Sequence, residues 1–435
     1  MLQFMYILGG AGLNNFINLL RKNTIFSKKR TAIFLITILV GLLLFTACAN
    51  KPNTSDVHAV APITVTNEAV GFSLLKEVTP DDEGNIFISP TSALIAMLMV
   101  YNGADGKTKE QIAEALQIED LSDHEVNEAT KALLNNLTRD EDKLELTVAN
   151  SLWLNHEFSF NKTFANKMQD YFKAEIDEID ITDPTSATKI NNWVEKATKG
   201  MIDEIVESPL SNDLVAYLIN ALYFNGTWTY EFDEQLTIED TFFTESGELE
   251  IPFMQVKEEL AYFETDELQA VQLPYNDGEM NMQLFLPKEN YTLDGLVEKL
   301  DEDRWNSWQK KFSQEEGTVQ LPKFKLEYET LLNEPLQQLG ITDAFDTEKA
   351  NLSNLIESDT PLHIDEVKQK TAIKVDEQGT EASAATSVAI EMSSANIEDE
   401  PFYMKLERPF LFTIYDEELE HIIFIGTIKN PEINE

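Results

Sequence analysis

Two apolar runs at the end of the chain, residues 410–415 and 422–428, limit the possible folds most. Both are almost wholly apolar, the pattern of strands covered on both faces rather than on one. Strands of that kind need other elements on each side. The core therefore has to close around the extreme C-terminus, and the residues upstream belong to the same body. No second linker and no internal repeat interrupts the chain from Ile63 onward, so we read one domain over residues 63–435.

Earlier segments divide by period. Apolar residues at helical spacing predict helices over 68–78, 92–102, 108–116, 161–172 and 186–198. Strict alternation predicts strands over 144–154, 261–273, 281–286 and 317–328. Helices first and strands later indicate an α+β fold, with helices packed on large, mostly antiparallel sheets.

The N-terminal end reads as an export signal. Residues 21–30 are basic, residues 31–45 are apolar, and Phe45-Thr46-Ala47-Cys48 follows. The apolar run is too short for a comfortable membrane span. Small residues directly before a cysteine resemble the lipobox of bacterial lipoproteins, whose cysteine becomes the lipidated N-terminus. Phe45 stands where Leu is usual. A plain signal peptide and an uncleaved anchor are the alternatives, and all three place the body outside the cytoplasm. The reading is a signal segment over 1–47, lipidation at Cys48 and a small, polar tether over 48–62, with a cell-surface or secreted location.

Charge and chemistry narrow the function. The formal net charge is −44, from 33 Lys and Arg against 77 Asp and Glu. Nucleic acid and anionic lipid surfaces would repel such a chain, so the membrane enters only through a lipid anchor. Five His and one Cys leave little material for a metal site or a disulfide framework, and no metal or cofactor is expected. No GxSxG elbow is present, and His156-Glu157 lacks the second His of a zinc-protease motif. With Cys48 assigned to lipid, no cysteine nucleophile remains. An enzyme is not expected.

Residues 376–396 are the anomaly. They are rich in Ala, Ser and Thr and contain no proline, a linker composition inside a compact domain. Yet they alternate cleanly. Thr380, Ala382, Ala384, Thr386, Val388, Ile390 and Met392 share one face, small at first and then apolar, with no charge. Such a face can enter a sheet and be buried. Gly379 supplies a flexible point before it. The stretch is written as a strand but lies where a loop is expected. A small-residue loop or an ordinary strand is the plainer reading of these residues alone.

The flanking motifs decide between them. Asn85-Ile86-Phe87-Ile88-Ser89-Pro90 with Ser92, Gly103 to Thr108, Leu218 to Trp228, Leu321-Pro322-Lys323-Phe324, Leu339 to Phe345, Glu377 to Ala382, and Arg408-Pro409-Phe410 with Ile425-Gly426 and Asn430-Pro431 follow in order. Together they resemble the serpin family over nearly all of 63–435, here a prokaryotic member with a lipoprotein-type signal.

The resemblance implies a serpin fold with an exposed reactive-centre loop over about 377–403, and suicide inhibition of a serine or cysteine protease. The loop is attacked as substrate, forms a covalent complex and inserts into the main sheet. Glu377, Gly379, Thr380, Ala382 and Ala384 correspond to the hinge of inhibitory members. Ser89, Ser92 and Asn220 correspond to the region where the sheet opens, and Trp228 to the loop's entry point. Gln369 replaces a histidine common in that region, which puts the local network in doubt. The family's spacing from the hinge glutamate lands on the Ser393–Ser394 bond, with Met392 as the alternative residue and Ile390 a weaker one. Residues 394–409 are longer than the family norm, so this register is loose. No Lys or Arg lies between Asp376 and Met404, which points to elastase-, subtilisin- or chymotrypsin-like targets. The acidic stretch after Leu116 argues against a glycosaminoglycan activator. A monomer is expected. The alternative is a non-inhibitory serpin acting as a surface binding module.

Overall fold

The computed structural model describes residues 57–141, 143–211, 215–358, 360–380 and 401–431. The signal-like segment, Cys48, Ala382, Ala384, Met392, Ser393 and Ser394 lie outside the described residues.

Helix α1 (Val57–Glu77) opens the body. The tether expected over 48–62 is thus corrected over residues 57–62, which are helical. Val60 and Ile63 are fully buried and stand one turn apart, an apolar stripe that the small polar neighbours and two prolines concealed. Helix α2 (Pro90–Gly103) begins where Ser89 accepts a hydrogen bond from the Ser92 amide and Pro90 takes the first turn, where a missing N–H costs nothing. Its sides are buried all round, because it packs on strands of both sheets. Helices α3 (Gly106–Ala115), α4 (Asp123–Leu137), α5 (Lys162–Phe172) and α6 (Thr185–Ala197) follow. A capping box between Ser122 and Glu125 opens α4, the acidic stretch after Leu116. Short helices α7 (Leu293–Glu298), α8 (Glu302–Gln309) and α9 (Asn333–Gln338) come later.

The strands, numbered in chain order, form two sheets. The larger has the order β1 (Ile86–Ile88), β16 (His421–Ile428), β15 (Phe410–Asp416), β9 (Met280–Pro287), β8 (Leu268–Tyr275), β7 (Gly247–Glu264), β10 (Ser313–Pro322), β14 (Phe402–Lys405), with β6 (Ile238–Thr244) beside β7. Every residue of β15 and β16 is buried, as their composition demands. The second sheet, here the main sheet, has the order β11 (Phe324–Leu331), β12 (Lys368–Val375), β13 (Gly379–Thr380), β5 (Ala216–Thr227), β3 (Leu144–Asn155), β2 (Arg139–Glu141), with β4 (Glu175–Ile179) beside β3. Pairing is antiparallel except for β10–β14 and β3–β4, so the fold is helices on large mixed sheets.

Two expected strands divide. Residues 261–273 are the end of β7, a turn and the start of β8, and residues 317–328 cross from β10 to β11 at Lys323. Alternation runs on through a tight turn, so the period alone does not show the break.

Candidate functional site

The site is a gap in the main sheet between β5 and β12. Among the described residues these strands are joined only through β13. Gly379 pairs with Thr227, Thr380 pairs with Gly226, and Thr380 pairs with Val375 on the other side. The hinge is thus already a strand at the top of the gap.

That top is tightly built. A Cβ on Gly379 would land on the Gly226 carbonyl oxygen, and one on Gly226 would strike the rings of Phe224 and Tyr275. A side chain is excluded at both positions, by backbone at Gly379 and by aromatic rings at Gly226. The Thr380 hydroxyl is 2.6 Å from the Tyr275 hydroxyl, and both are buried. Burial pushes the Tyr275 phenol well above its ordinary range, so it stays protonated. Its ring stacks on Trp228 at 4.5 Å between centroids. Trp228 donates its indole N–H to the Asp376 carbonyl at 2.9 Å and its backbone N–H to the Gln378 carbonyl at 3.0 Å. Glu377 accepts from Lys323 at 2.8 Å and from Thr237 at 2.8 Å. Burial works to raise the Glu377 pKa, but Lys323 and Thr237 outweigh it and hold it below the usual carboxylate value. Trp228, Glu377, Gly379 and Thr380 come together at this end of the gap. Tyr275, Lys323 and Thr237 complete the site and were not anticipated. The LPKF motif and the strand expected over 317–328 held Lys323 but gave no partner, and Tyr275 lies beyond the strand expected over 261–273.

Lower down, no described residue fills the same gap. A cavity of about 490 Å³ runs between β5 and β12, lined by Asn220 and Leu218, Gln369 and Lys368, and Ser92 and Ala96 of α2. On the β12 side, Gln369 accepts from the Ser89 N–H at 3.0 Å and donates to the Ser89 carbonyl at 2.9 Å. The Ser89 hydroxyl donates to the Ile423 carbonyl at 2.8 Å. Gln369 therefore holds the network to the N-terminus of α2 that its substitution for histidine put in doubt. On the β5 side, Asn220 donates to Asn150 at 2.7 Å, and Asn150 donates to the Phe172 carbonyl. The Asn220 Oδ1 is buried without a partner, at a typical cost of about 1–3 kcal/mol. Ser89, Ser92 and Gln369 sit on one wall, with Asn220 on the other.

The chain beyond residue 400 is fixed elsewhere. Strand β14 pairs in parallel with β10 of the larger sheet, Phe402 opposite Gly317. The Phe402 ring occupies the place a Gly317 side chain would take and stacks on Tyr262 at 4.0 Å. Residues 381–400 thus connect two different sheets. Among the described residues, no three His, Cys, Asp or Glu side chains group so as to hold a metal ion.

Comparison with known proteins places these features. The family model described as Serpin (serine protease inhibitor) matches residues 65–431. Iripin-2 of Ixodes ricinus is 32% identical over 376 residues, covering 85% of this chain and 94% of that protein. The native-state crystal structure of the thermophilic serpin Tengpin superposes with a TM-score of 0.77 at 36% identity, over 84% of this chain and 94% of that one. A thyroxine-binding globulin in complex with thyroxine has a TM-score of 0.75 over 85% of this chain and 99% of that one, but 23% identity, a likeness of fold alone.

Proposed function

The chain belongs to the serpin family, and we propose that it is an inhibitor of serine or cysteine proteases that traps its target by inserting the cleaved loop into the gap between β5 and β12. The observation that carries this reading is the paired hinge. Gly379 and Thr380 are already seated between both walls of a gap that, among the described residues, is a cavity beneath them.

The chemistry is acyl transfer. The protease nucleophile attacks the Ser393 carbonyl carbon, the bond to the Ser394 nitrogen breaks, and the amine leaves with Ser394 as a new N-terminus. The acyl-enzyme stays on Ser393, with Met392 as the alternative. Continued insertion in the present register would set Thr386 level with both Asn220 and Gln369. The Thr386 hydroxyl would then face the side of the sheet on which the Asn220 Oδ1 lacks a donor. Ala382 and Ala384 would fill positions where a charge would be buried unpaired.

The absence of basic residues in the loop favours elastase-, subtilisin- or chymotrypsin-like targets. We read the protein as a monomeric prokaryotic lipoprotein anchored at Cys48, outside the cytoplasm. Palmitate labelling lost in Cys48→Ser is the expected result for the anchor, and equal labelling of that variant rejects it.

Incubation of the purified protein with elastase, subtilisin, chymotrypsin and trypsin, one at a time, tests the inhibitor. A denaturant-stable complex, with cleavage mapped to 392–394, is expected for at least one of the first three. Cleavage by all without a complex, and with full protease activity remaining, favours a non-inhibitory surface binding module instead.

A further inference from the structure

One buried acid belongs neither to the hinge nor to the gap. Glu68 stands on α1 and is 8% exposed. The charged groups that act on it are Glu302 of α8 and Glu420 of the turn between β15 and β16, both of its own sign. Phe72, one turn further along α1, lies 5.7 Å from the Trp305 ring, so Glu68 and Phe72 present one face of the helix to α8. Trp305 is fully buried, with Phe285 of β9 at 5.5 Å and Tyr415 of β15 at 5.8 Å between ring centroids. Its indole N–H faces the Glu68 carboxyl group without closing a hydrogen bond, and the Glu302 Oε1 is likewise buried without a partner. Three carboxyl groups from three separate elements thus meet beside one indole.

The other titratable groups nearby are engaged elsewhere. Asp416 pairs with Arg139 at 2.9 Å, and Glu417 accepts from Gln272 at 2.9 Å and from Asn281 at 2.6 Å. His421 is buried, uncharged and 2.9 Å from the Thr91 hydroxyl, and burial keeps the Tyr415 phenol protonated. Lys76 of α1 donates to the Leu300 carbonyl at 2.6 Å. Helices α2, α4, α7 and α9 also pack on α1 and bring no charge to Glu68. Burial raises the Glu68 pKa most, the Trp305 N–H works against it, and Glu302 and Glu420 add to it, which leaves it at about 7. The next residue, Asn67, donates to the Ile422 carbonyl at 2.8 Å, beside the Ile423 carbonyl that holds Ser89. Helix α1 and the start of α2 therefore hang on adjacent carbonyls of β16.

We propose that Glu68 is a proton-carrying latch that fastens α1 to α8 and to the β15–β16 turn, and that the fold loosens there in mildly alkaline surroundings. Protonated, the carboxyl group is neutral between two like charges and has an O–H to give to the bare Glu302 oxygen. Ionised, it is a third negative charge at a site where no cation acts on it, and an unpaired buried charge is expensive. Glu302 is half-buried and Glu420 exposed, so the proton has a way out to solvent. The folded chain keeps a proton that the unfolded chain gives up near the ordinary value of 4.5. The stability it contributes is therefore complete below that value and is lost as pH rises through about 7. The latch holds whether or not the protein traps a protease.

The test melts the uncut, full-length protein between pH 5 and pH 9 beside Glu68→Gln, which keeps the shape and an N–H donor for the Glu302 oxygen. The two should melt within about 1 °C of each other at pH 5, and above pH 8 the variant should melt about 4 °C higher. Trp305 reports the proton directly. Tryptophan emission of the parent should change with a midpoint near pH 7, and the change should be absent from Glu68→Gln. Glu302→Gln removes one of the two repelling charges and should move that midpoint down by about half a pH unit. Melting curves that run parallel for parent and Glu68→Gln across the range, or an emission midpoint that survives in Glu68→Gln, overturn the proposal.

Discussion

The top and the bottom of one gap are built in opposite ways. Around Gly379 and Thr380 the walls touch, an aromatic stack closes over the hinge, and the carboxylate of Glu377 is satisfied by two donors. Around Asn220 and Gln369 the walls stand apart, each bonded to its own side, with a cavity between them and one buried acceptor without a donor. Under the inhibitory mechanism proposed above, the contrast separates two demands. Entry must be guided to one register, so it is rigid. Filling must release free energy, so the space to be filled is left poor in contacts.

Four substitutions test that division, from the largest effect down. Gly379→Val drives a side chain into the Gly226 carbonyl and should expel the hinge from the sheet. Complex formation should vanish, and thermal melting should fall by several degrees, consistent with a loss of about 3 kcal/mol. Normal trapping by this variant would show that the top is not the entrance. Lys323→Met leaves the Glu377 carboxylate buried with one donor fewer, at a cost of about 2 kcal/mol in denaturant unfolding. The same pair gives a pH dependence. The Glu377 pKa is lowered in the fold, so its contribution is complete above the ordinary value of 4.5 and is lost as pH falls through the folded value. The variant should lose less stability than the parent across that acid range.

Ala96→Leu places atoms in the lower cavity and should raise stability by about 1 kcal/mol while increasing the fraction of molecules cut without trapping. A gain in stability with unchanged trapping would mean that the cavity is not the path of the strand. Gln369→His has the smallest expected effect. It sets a titrating group among the uncharged Ser89, Ser92 and Asn220. Burial should depress its pKa, so stability would match the parent above the unfolded value of about 6.5 and decline below it. Melting at pH 7.5 and pH 5.5 gives the difference.

The helices and strands with a clean period were legible; the hinge came only with the family motifs, since alternation of small residues alone reads equally as a loop or an ordinary strand, and of its residues Ala382 and Ala384 lie outside the described ones. Three boundaries were not legible. The tether reading failed over 57–62 because two buried side chains one turn apart are a weak signal among prolines and polar residues. Strands that alternate through a turn, as at Lys323, looked like one. The family motifs named Trp228 and Gln369 but gave no partners. Tyr275 is 105 residues from Thr380 in sequence, and Gln369 is 280 from Ser89, so only the folded chain pairs them.

The two ends of residues 381–400 are fastened to different sheets, one by β13 and the other by β14. An inhibitor that closes by cutting this connection keeps a permanent record of each encounter, because nothing in the fold rejoins the ends. Each molecule would act once. The capacity of a surface bearing such proteins would be the number of uncut copies it holds, falling by one with every protease met, and only new synthesis would restore it.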